Sequence, residues 1–345
     1  MLHLQNITLE NIAKRIKSEK LRIVVYGAGM IGKIVAPDMI QRYDLLENID
    51  CYVDCDVRKQ GKYITIGDKP VKICSPTVLD SIAQNSILFI TNSNYSAVLA
   101  TLDENKHLNG MDAIIIPVMQ ALAVKERTNA TEIILRNYSE ELIPKKIHYC
   151  WFSGKEMPDY LKKCIESWHE KCPEYEIIRW DESNYDIHKN IYMEQAYNAQ
   201  KWGFVPDFAR LDILYTYGGF YLDTDVELLQ SLDDLRGQGA FCGVEKWGNI
   251  NMGGCSGAMK HHPMIGEMLA YRENIPFVYP DGTMNLETCG VYETQPFIKH
   301  GMAINNSTQR INDMTVFSSD YFHPYDYMSG ETILTPVSYT HLRAH

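Results

Sequence analysis

The sequence predicts an α/β protein built from two domains. Its 345 residues exceed what one hydrophobic core usually serves, and a hydrophobic content of 45% excludes wholesale disorder. In the first third, apolar strand-like runs alternate with helical segments, which is typical of a parallel sheet. In the remainder, a helix, two glycines, a short apolar strand and two aspartates follow one another over residues 205–228. We expect a Rossmann-like domain over residues 1–135 and a second domain over residues 140–336, with a helix over residues 121–141 linking them.

The predicted N-terminal domain carries a G-x-G-x-x-G motif. An apolar strand runs directly into Gly27, Gly29 and Gly32, and the next predicted strand ends at Asp54. Glycines in this place allow a tight turn and close approach of the backbone to a phosphate, and an acidic residue further along can hold a ribose hydroxyl. Five strands are predicted in this domain, over residues 22–26, 49–53, 64–66, 87–91 and 113–117.

The N-terminal block also resembles a known domain. VYGAGMIGK, VDCDVRKQGK and KPV, within residues 20–118, are similar to the Rossmann-type domain of bacterial amino-sugar acetyltransferases. That domain binds nucleotide sugars, so the resemblance implies a nucleotide site at Gly27, Gly29, Gly32 and Asp54. The motif alone leaves a second interpretation open, in which the turn simply packs tightly.

The second domain is organised around VPDFARLDILYTYGGFYLDTDVEL, residues 205–228. A helix is expected from Pro206 to the glycine pair at residues 218–219, with a one-sided apolar face. Asp207 and Arg210 are three residues apart and therefore share one helical face. An acid and a base on one face, just before an acidic strand end, are more than packing requires.

Asp223 and Asp225 follow the short strand FYL as a D-x-D motif. Side chains two residues apart on an extended segment point the same way. Two carboxylates on one face would form a hard oxygen site for Mg²⁺ or Mn²⁺, and such an ion would neutralise a departing diphosphate. A bare D-x-D is also typical of a solvated turn, and the upstream helix is what favours the metal site.

FVPDFARLDILYTYGGFYLDTDVEL resembles the central motif of glycosyltransferase family 32, and the resemblance extends over residues 143–331. It implies a GT-A type nucleotide-diphospho-sugar transferase domain that retains anomeric configuration. It also implies a UDP- or GDP-hexose donor and a saccharide acceptor, in capsule or other surface polysaccharide synthesis.

The same resemblance implies roles for individual side chains. The two D-x-D carboxylates would bind the metal, the Asp/Arg pair of the helix would hold hydroxyls of the donor's sugar, and a tyrosine would support the diphosphate. A tryptophan after the domain's first strand would stack on the base, a plain core tryptophan being the alternative. The implied site residues are Asp207, Arg210, Tyr221, Asp223, Asp225 and Trp151.

The chain departs from the family pattern in three places. Pro206 stands where the family usually has serine, and Gln295 replaces the glycine of a Gly-Pro acceptor turn expected over residues 293–296. The family's C-terminal His/Ser-Trp segment is not present. His148, in the middle of a predicted strand, is expected to be a hydrogen-bonded core histidine rather than a catalyst.

Composition excludes several other function classes. The net charge is 33 − 44 = −11, which argues against nucleic acid and anionic membranes as main partners. The nine cysteines are scattered without a CxxC, so neither a zinc site nor a disulfide framework is expected. No signal peptide or membrane-spanning run is visible, and we expect a cytoplasmic protein, with peripheral docking at the inner face of a membrane left open.

The last nine residues, VSYTHLRAH (residues 337–345), resemble translated sequencing-adapter read-through. We therefore expect that they are an artefact and that the natural chain continues past Pro336. They are excluded from the fold prediction.

Two other functions stay open. A nicotinamide-dependent sugar oxidoreductase or epimerase would act through the N-terminal domain, but residues 1–130 contain no Y-x-x-x-K. A non-catalytic sensor would bind nucleotide sugars without turnover. The intact D-x-D speaks against it, whereas Pro206 and the missing C-terminal segment speak for it.

Overall fold

The chain forms two compact units. The computed structural model describes residues 1–125, 140–326 and 330–342. Unit 1 comprises Met1–Ala130 with Ala303–Asn305, and unit 2 comprises Thr131–Met302 with Asn306–His345. Most of the predicted linker helix lies outside the described residues.

Unit 1 is a seven-stranded sheet with helices. Its strands are β1 (His3–Leu4), β2 (Arg22–Tyr26), β3 (Ile49–Val53), β4 (Tyr63–Ile66), β5 (Lys69–Cys74), β6 (Ser86–Ile90) and β7 (Asp112–Ile115). Its helices are α1 (Leu9–Glu19), α2 (Ala36–Arg42), α3 (Tyr95–Asp103) and α4 (Ile116–Lys125), and a π-helical turn, Ile31–Val35, leads into α2. The strand order is β1-β7-β6-β2-β3-β5-β4, and every pair is parallel except β4 with β5.

The prediction of an α/β chain with parallel strands is confirmed. β2 and β3 have the predicted limits, and their side chains fill the core because both strands are covered on two faces. The strand predicted over 113–117 ends earlier, since Ile116 already begins α4. The strand near residue 64 was predicted alone but forms a hairpin with β5.

Unit 2 is built on a mixed eight-stranded sheet. The strands of this unit, inside and outside that sheet, are β8 (Lys146–Cys150), β9 (Glu176–Trp180), β10 (Gly219–Tyr221), β11 (Val226–Leu228), β12 (Ala240–Val244), β13 (Ile250–Asn251), β14 (Ser256–Ala258), β15 (Gln309–Ile311), β16 (Met314–Phe317), β17 (Tyr325–Asp326), β18 (Glu331–Thr332) and β19 (Thr340–Leu342). Its helices are α5 (Asp159–Lys171), α6 (Ile191–Asn198), α7 (Pro206–Tyr217), α8 (Pro263–Arg272), α9 (Cys289–Lys299) and α10 (Ser319–Phe322). The main sheet has the order β15-β16-β12-β14-β10-β8-β9, with β13 on β12.

Three parallel strands of unit 2 end at one edge of the sheet. β8 lies between β9 and β10 and is parallel to both, with Tyr221 opposite His148 and Trp180 opposite Cys150. The segments that follow these strands therefore leave the same edge, which is where open α/β sheets bind ligands. One of those segments contains Trp151, and another contains the D-x-D motif.

Helix α7 has the predicted limits. Pro206 occupies its first position, and Gly218, with φ of 66°, ends it in a conformation that other residues adopt at a cost. The expected one-sided apolar face is wrong, because Asp207 and Arg210 are buried while Phe208 is only half-buried. The helix is enclosed on more than one side, and its two charged residues face the interior.

His148 is a core histidine, as predicted. Its Nε2 lies 2.8 Å from the carbonyl oxygen of Gly218, and the indole N–H of Trp180 donates to Nδ1 at 3.1 Å. Burial lowers the pKa of His148 to about 4, so the ring is neutral at pH 7. Both ring nitrogens are used within the core, which leaves no free nitrogen for catalysis.

Helix α5 anchors the strand that follows the D-x-D motif. The indole N–H of Trp168 donates to the carbonyl oxygen of Val226 at 2.7 Å, and Ser167 Oγ accepts from the N–H of Leu228 at 2.9 Å. β11 also pairs antiparallel with β19, whose residues belong to the segment set aside as read-through. Among the described residues, no helix is both long and apolar enough to cross a bilayer.

Candidate active site

The D-x-D motif lies in a turn between β10 and β11. The N–H of Val226 donates to the carbonyl oxygen of Asp223 at 3.1 Å, which closes the turn, and the N–H of Asp223 donates to the carbonyl oxygen of Gly253 at 2.8 Å. The expectation of an extended segment is therefore wrong. The backbone turns because this hydrogen bond spans three residues, which an extended chain does not permit.

Asp223 is held by its neighbours but stays open to solvent. The hydroxyl of Tyr221 donates to Oδ1 of Asp223 at 3.1 Å, and Nη2 of Arg210 lies 3.7 Å from the same oxygen. The side chain is 35% exposed, so part of it remains accessible to a ligand. A β-carbon at Gly253 would overlap Oδ2 of Asp223, so any larger residue there would displace the carboxylate.

Asp207 and Arg210 form a buried ion pair. Both side chains are 4% exposed, and Nη2 of Arg210 donates to Oδ1 of Asp207 at 2.9 Å. The guanidinium also lies 5.5 Å from the centre of the Tyr221 ring. Burial raises the pKa of Asp207, and the positive charge of Arg210 opposes that rise. The structure thus brings four of the predicted site residues together, namely Asp207, Arg210, Tyr221 and Asp223.

Glu293 belongs to this cluster and was not predicted as a site residue. Residues 293–296, the region where the family often has an acceptor turn and where Gln295 puts that turn in doubt, lie inside helix α9. Oε2 of Glu293 accepts from the N–H of Met252 at 3.1 Å, and Oε1 lies 3.6 Å from Nη1 of Arg210. Burial raises the pKa of Glu293 to about 7. The sequence offers no clear signal for this, because Glu293 stands in a segment of mixed polarity, VYETQPF.

Arg272, the last residue of α8, is the second unpredicted member. Nη2 of Arg272 lies 3.7 Å from Oδ2 of Asp207, on the side away from Arg210. Its guanidinium stands 4.4 Å from the centre of the Tyr192 ring and 4.7 Å from that of Tyr292. The sequence offered no sign of this, because a basic residue in the last turn of a helix normally faces solvent and the helix dipole.

Trp151 follows β8 and is half-buried, so it is not a fully buried core residue. Its indole N–H donates to the carbonyl oxygen of Lys155 at 2.8 Å, and its backbone N–H donates to that of Trp180 at 2.8 Å. The first bond fixes the plane of the ring within its own loop. Trp151 and the D-x-D turn lie at the same edge of the sheet because β8 and β10 are parallel.

The acidic residues could accommodate a divalent ion, with help from a ligand. Among the described parts of the chain, no group of three or more His, Cys, Asp or Glu side chains is placed to hold a metal. The cluster and its D-x-D turn nevertheless carry four carboxyl groups against two guanidinium groups, and this acidic excess suits a divalent cation. Asp223 and the half-buried Asp225 would supply its protein oxygens, with a bound ligand and water completing the shell.

The glycine motif of unit 1 connects β2 to the π-helical turn. Gly27 has φ of 112°, and a β-carbon there would stand 2.7 Å from Oγ1 of Thr91. A β-carbon at Gly32 would overlap the carbonyl oxygen of Gly27, whereas one at Gly29 would have no neighbour within 4 Å. Packing therefore explains two of the three glycines, and Gly29 faces open space.

Asp54 lies beside this turn, where a ribose-binding residue was expected. Its Oδ2 accepts from the N–H of Ala28 at 2.7 Å and pairs with Nζ of Lys59 at 3.2 Å. Its Oδ1 accepts from the N–H of Asp56 at 2.8 Å. The carboxylate therefore holds the glycine turn in place, and both of its oxygens already accept protein hydrogen bonds.

One known protein family matches part of unit 2. Residues 158–242 match the family described as a glycosyltransferase sugar-binding region containing a DXD motif. The matched segment includes α7, β10 and both aspartates of the D-x-D motif. The motif that organises the sequence is thus the one that the family describes.

Individual proteins show the same similarity. Over 200 residues the chain is 28% identical to the uncharacterized glycosyltransferase L373 of Acanthamoeba polyphaga mimivirus, covering 53% of this chain and 74% of that protein. Over 145 residues it is 30% identical to inositol phosphoceramide mannosyltransferase 3 of Schizosaccharomyces pombe, covering 40% and 39% of the two chains. Over 123 residues it is 30% identical to subversion of eukaryotic traffic protein A of Legionella pneumophila, covering 28% and 19%.

The chain spans well under half the length of the yeast and Legionella relatives. Among solved structures, the PaToxG glycosyltransferase aligns with 53% of this chain and 79% of its own, at 18% identity and a TM-score of 0.35, which is too low to argue from. The family match and the curated relatives together support a glycosyltransferase that contains a DXD sugar-binding region.

Proposed function

We propose that the protein is a metal-dependent, retaining glycosyltransferase. It moves a hexose from a UDP- or GDP-sugar to a saccharide acceptor, in the synthesis of capsule or another surface polysaccharide at the cytoplasmic side. The position of Arg210 carries the proposal. Its guanidinium lies among three carboxylates, one of them in the D-x-D turn, inside the segment that resembles glycosyltransferases.

The D-x-D turn holds the diphosphate end of the donor. Asp223 and Asp225 would bind Mn²⁺ or Mg²⁺, which supplies neutralisation of the departing diphosphate. Tyr221 donates its hydroxyl hydrogen to Oδ1 of Asp223 and so fixes a side chain that is partly exposed to solvent. The turn geometry places these groups before the donor arrives, and pre-placed charges are what stabilise a transition state.

The buried pair orients the sugar. Asp207 and Arg210 would offer an acceptor and a donor of hydrogen bonds to the sugar hydroxyls, from a pair that is buried before the donor binds. Little water reaches these side chains, so their charges act through a low dielectric and at greater strength than in solution. Binding then aligns the acceptor hydroxyl for front-face attack. Its oxygen would bond to the anomeric carbon as the bond from that carbon to the diphosphate breaks, and its proton would pass to the departing diphosphate oxygen, so that retention needs no separate general base.

The nucleotide lies along the carboxyl edge of the sheet. Trp151 offers a fixed aromatic face to the base, since its indole N–H is engaged by Lys155. Unit 2 is then a GT-A type domain. Unit 1 is a Rossmann-like domain in which Gly27, Gly29 and Gly32 approach a nucleotide sugar, with Asp54 keeping the turn in shape.

Thermal shifts with UDP-glucose, UDP-galactose, UDP-N-acetylglucosamine and GDP-mannose test this function. Each is measured with Mn²⁺ and then with EDTA, on wild type and Asp225→Asn, with the exposed Asp234→Asn as matched control. A ligand at 100 times its dissociation constant adds about 2.7 kcal/mol of stability. We expect a shift that needs both Mn²⁺ and Asp225, accompanied by slow donor hydrolysis. Binding that is indifferent to both, without hydrolysis, would indicate a sensor and overturn the proposal.

A further inference from the structure

Arg272 is buried in an arrangement that core packing alone does not explain. The residue is 1% exposed and lies between the rings of Tyr192 and Tyr292. Its Nε, Nη1 and Nη2 make no hydrogen bond of good geometry among the described residues. The hydroxyl of Tyr192 interacts with both Arg272 and Asp207, but it too lacks a bond of good geometry. Both rings lie against the guanidinium, and one carboxylate oxygen, Oδ2 of Asp207, lies 3.7 Å from Nη2.

Such an arrangement is costly. A buried guanidinium loses much of its hydration free energy, and one ion pair with two aromatic contacts returns only part of it. A methionine or leucine would fill the same space without that penalty. The location of the charge therefore has to be explained by what it does to Asp207.

Asp207 is held from two sides. Oδ1 accepts from Arg210 at 2.9 Å, and Oδ2 faces Arg272 at 3.7 Å. Because Arg272 engages the second oxygen, Asp207 makes a one-point contact with Arg210. Nη2 of Arg210 can then lie 3.7 Å from Asp223 as well, and Nη1 can lie 3.6 Å from Glu293.

We propose that Arg272 is a positioning residue for the donor site. It keeps Asp207 from turning both oxygens to Arg210, and so leaves the Arg210 guanidinium directed at the D-x-D turn. Without Arg272, the two remaining partners would form the two-point pair that arginine and carboxylate prefer. Arg210 would then move towards Asp207 and away from Asp223. The expected effect on catalysis rests on the proposed function, whereas the expected movement of Arg210 does not.

A crystal structure of Arg272→Met, grown without ligand, tests the geometry directly. We expect a two-point contact between Asp207 and Arg210 and a longer distance from Arg210 to Asp223. Arg210 in its original place would overturn the inference. Arg272→Lys retains a positive charge between the tyrosine rings and is expected to keep the one-point contact, and it serves if the methionine variant does not fold.

Hydrolysis of UDP-glucose, UDP-galactose, UDP-N-acetylglucosamine and GDP-mannose, assayed singly with Mn²⁺, tests the consequence. Arg272→Met is expected to lower kcat/KM about 10- to 100-fold, the range found for outer-shell partners, and Arg272→Lys to recover part of it. In an Arg210→Lys background, Arg272→Met should lower kcat/KM no further, because lysine cannot form the two-point pair. Additive losses would mean a merely structural role.

Arg236→Met is the matched control. Arg236 is also a buried arginine of unit 2, but its side chain pairs with Glu141 and with the carbonyl oxygen of Ile143. This control is expected to lower the melting temperature without changing kcat/KM. If wild type hydrolyses none of the four sugar nucleotides, the proposed function fails, and the ligand-free structure of Arg272→Met still decides the role of Arg272.

Discussion

Gly253 lies so close to Asp223 that a β-carbon on the glycine would overlap Oδ2 of the aspartate. The backbone of the two residues is joined as well, since the N–H of Asp223 donates to the carbonyl oxygen of Gly253. The carbonyl of residue 253 thus fixes the D-x-D turn, and the missing side chain leaves room for the carboxylate. The space beside the acidic oxygen exists only because residue 253 is a glycine.

Gly253→Ala is therefore expected to displace Asp223 and reduce donor hydrolysis about 100-fold, the effect of misplacing a reacting group by an ångström. The melting temperature should fall by only a few degrees, since overpacking costs about 1 to 3 kcal/mol. Gly203→Ala is the control, because a β-carbon at residue 203 has no neighbour within 4 Å. Full activity in Gly253→Ala would show that Asp223 needs no such space.

Glu293 should make stability depend on pH. Burial raises the pKa of its carboxyl group from 4.5 to about 7, so the folded state keeps a proton that the unfolded chain releases. The contribution is complete below pH 4.5 and is lost as pH rises through 7. We expect the free energy of unfolding of wild type to fall by up to about 3 kcal/mol over this range, and Glu293→Gln to remove that slope. Urea titrations from pH 4 to 8 measure this free energy. The control is Glu174→Gln, an exposed residue, which should leave the slope with pH unchanged. An unchanged slope in Glu293→Gln would contradict the raised pKa of Glu293.

Local signals in the sequence were sufficient for α7 and for the order of motifs around it. Pro206 and Gly218 mark the helix ends by their own backbone preferences, and these operate whatever the rest of the chain does. The D-x-D motif was found for the same reason. The backbone of the motif was wrongly predicted to be extended. The N–H of Val226 bonds to the carbonyl oxygen of Asp223 and makes a turn, which the strand pattern does not indicate.

The remaining site residues come from elements far away in the chain. Glu293 and Arg272 reach Arg210 and Asp207 from helices α9 and α8. The helical period predicts which residues share a face, but not which face of another helix they meet. A buried charge can be predicted only when its partner is known. Here Glu293 is 83 positions from Arg210 (293 − 210), and Arg272 is 65 positions from Asp207 (272 − 207).

Ser153 provides a test of how Trp151 is held. It has φ of 118°, a conformation that costs a residue other than glycine about 1 to 3 kcal/mol, and its N–H donates to Oε1 of Glu182 at 2.7 Å. Glu182→Ala should let the loop relax and raise the donor KM with little change in kcat. Adding Ser153→Gly should restore KM, since glycine adopts this φ without strain. Trp151→Leu is the reference, because it removes the ring. If Trp151→Leu raises the donor KM and Glu182→Ala does not, Glu182 has no role in holding Trp151.

The glycine turn of unit 1 distinguishes tight packing from nucleotide binding. Gly27→Ala should destabilise unit 1 whichever interpretation holds, because its φ of 112° is strained for alanine and Thr91 blocks the β-carbon. Gly29→Ala should leave the melting temperature unchanged, since its β-carbon would face open space. If a nucleotide sugar approaches the backbone there, Gly29→Ala should weaken binding of UDP-N-acetylglucosamine about 10-fold or more. Calorimetry measures this affinity, with EDTA present and in an Asp225→Asn background, so that binding by unit 2 contributes little. Equal affinity in wild type and Gly29→Ala would mean that the turn only packs, and that Asp54 serves its shape alone.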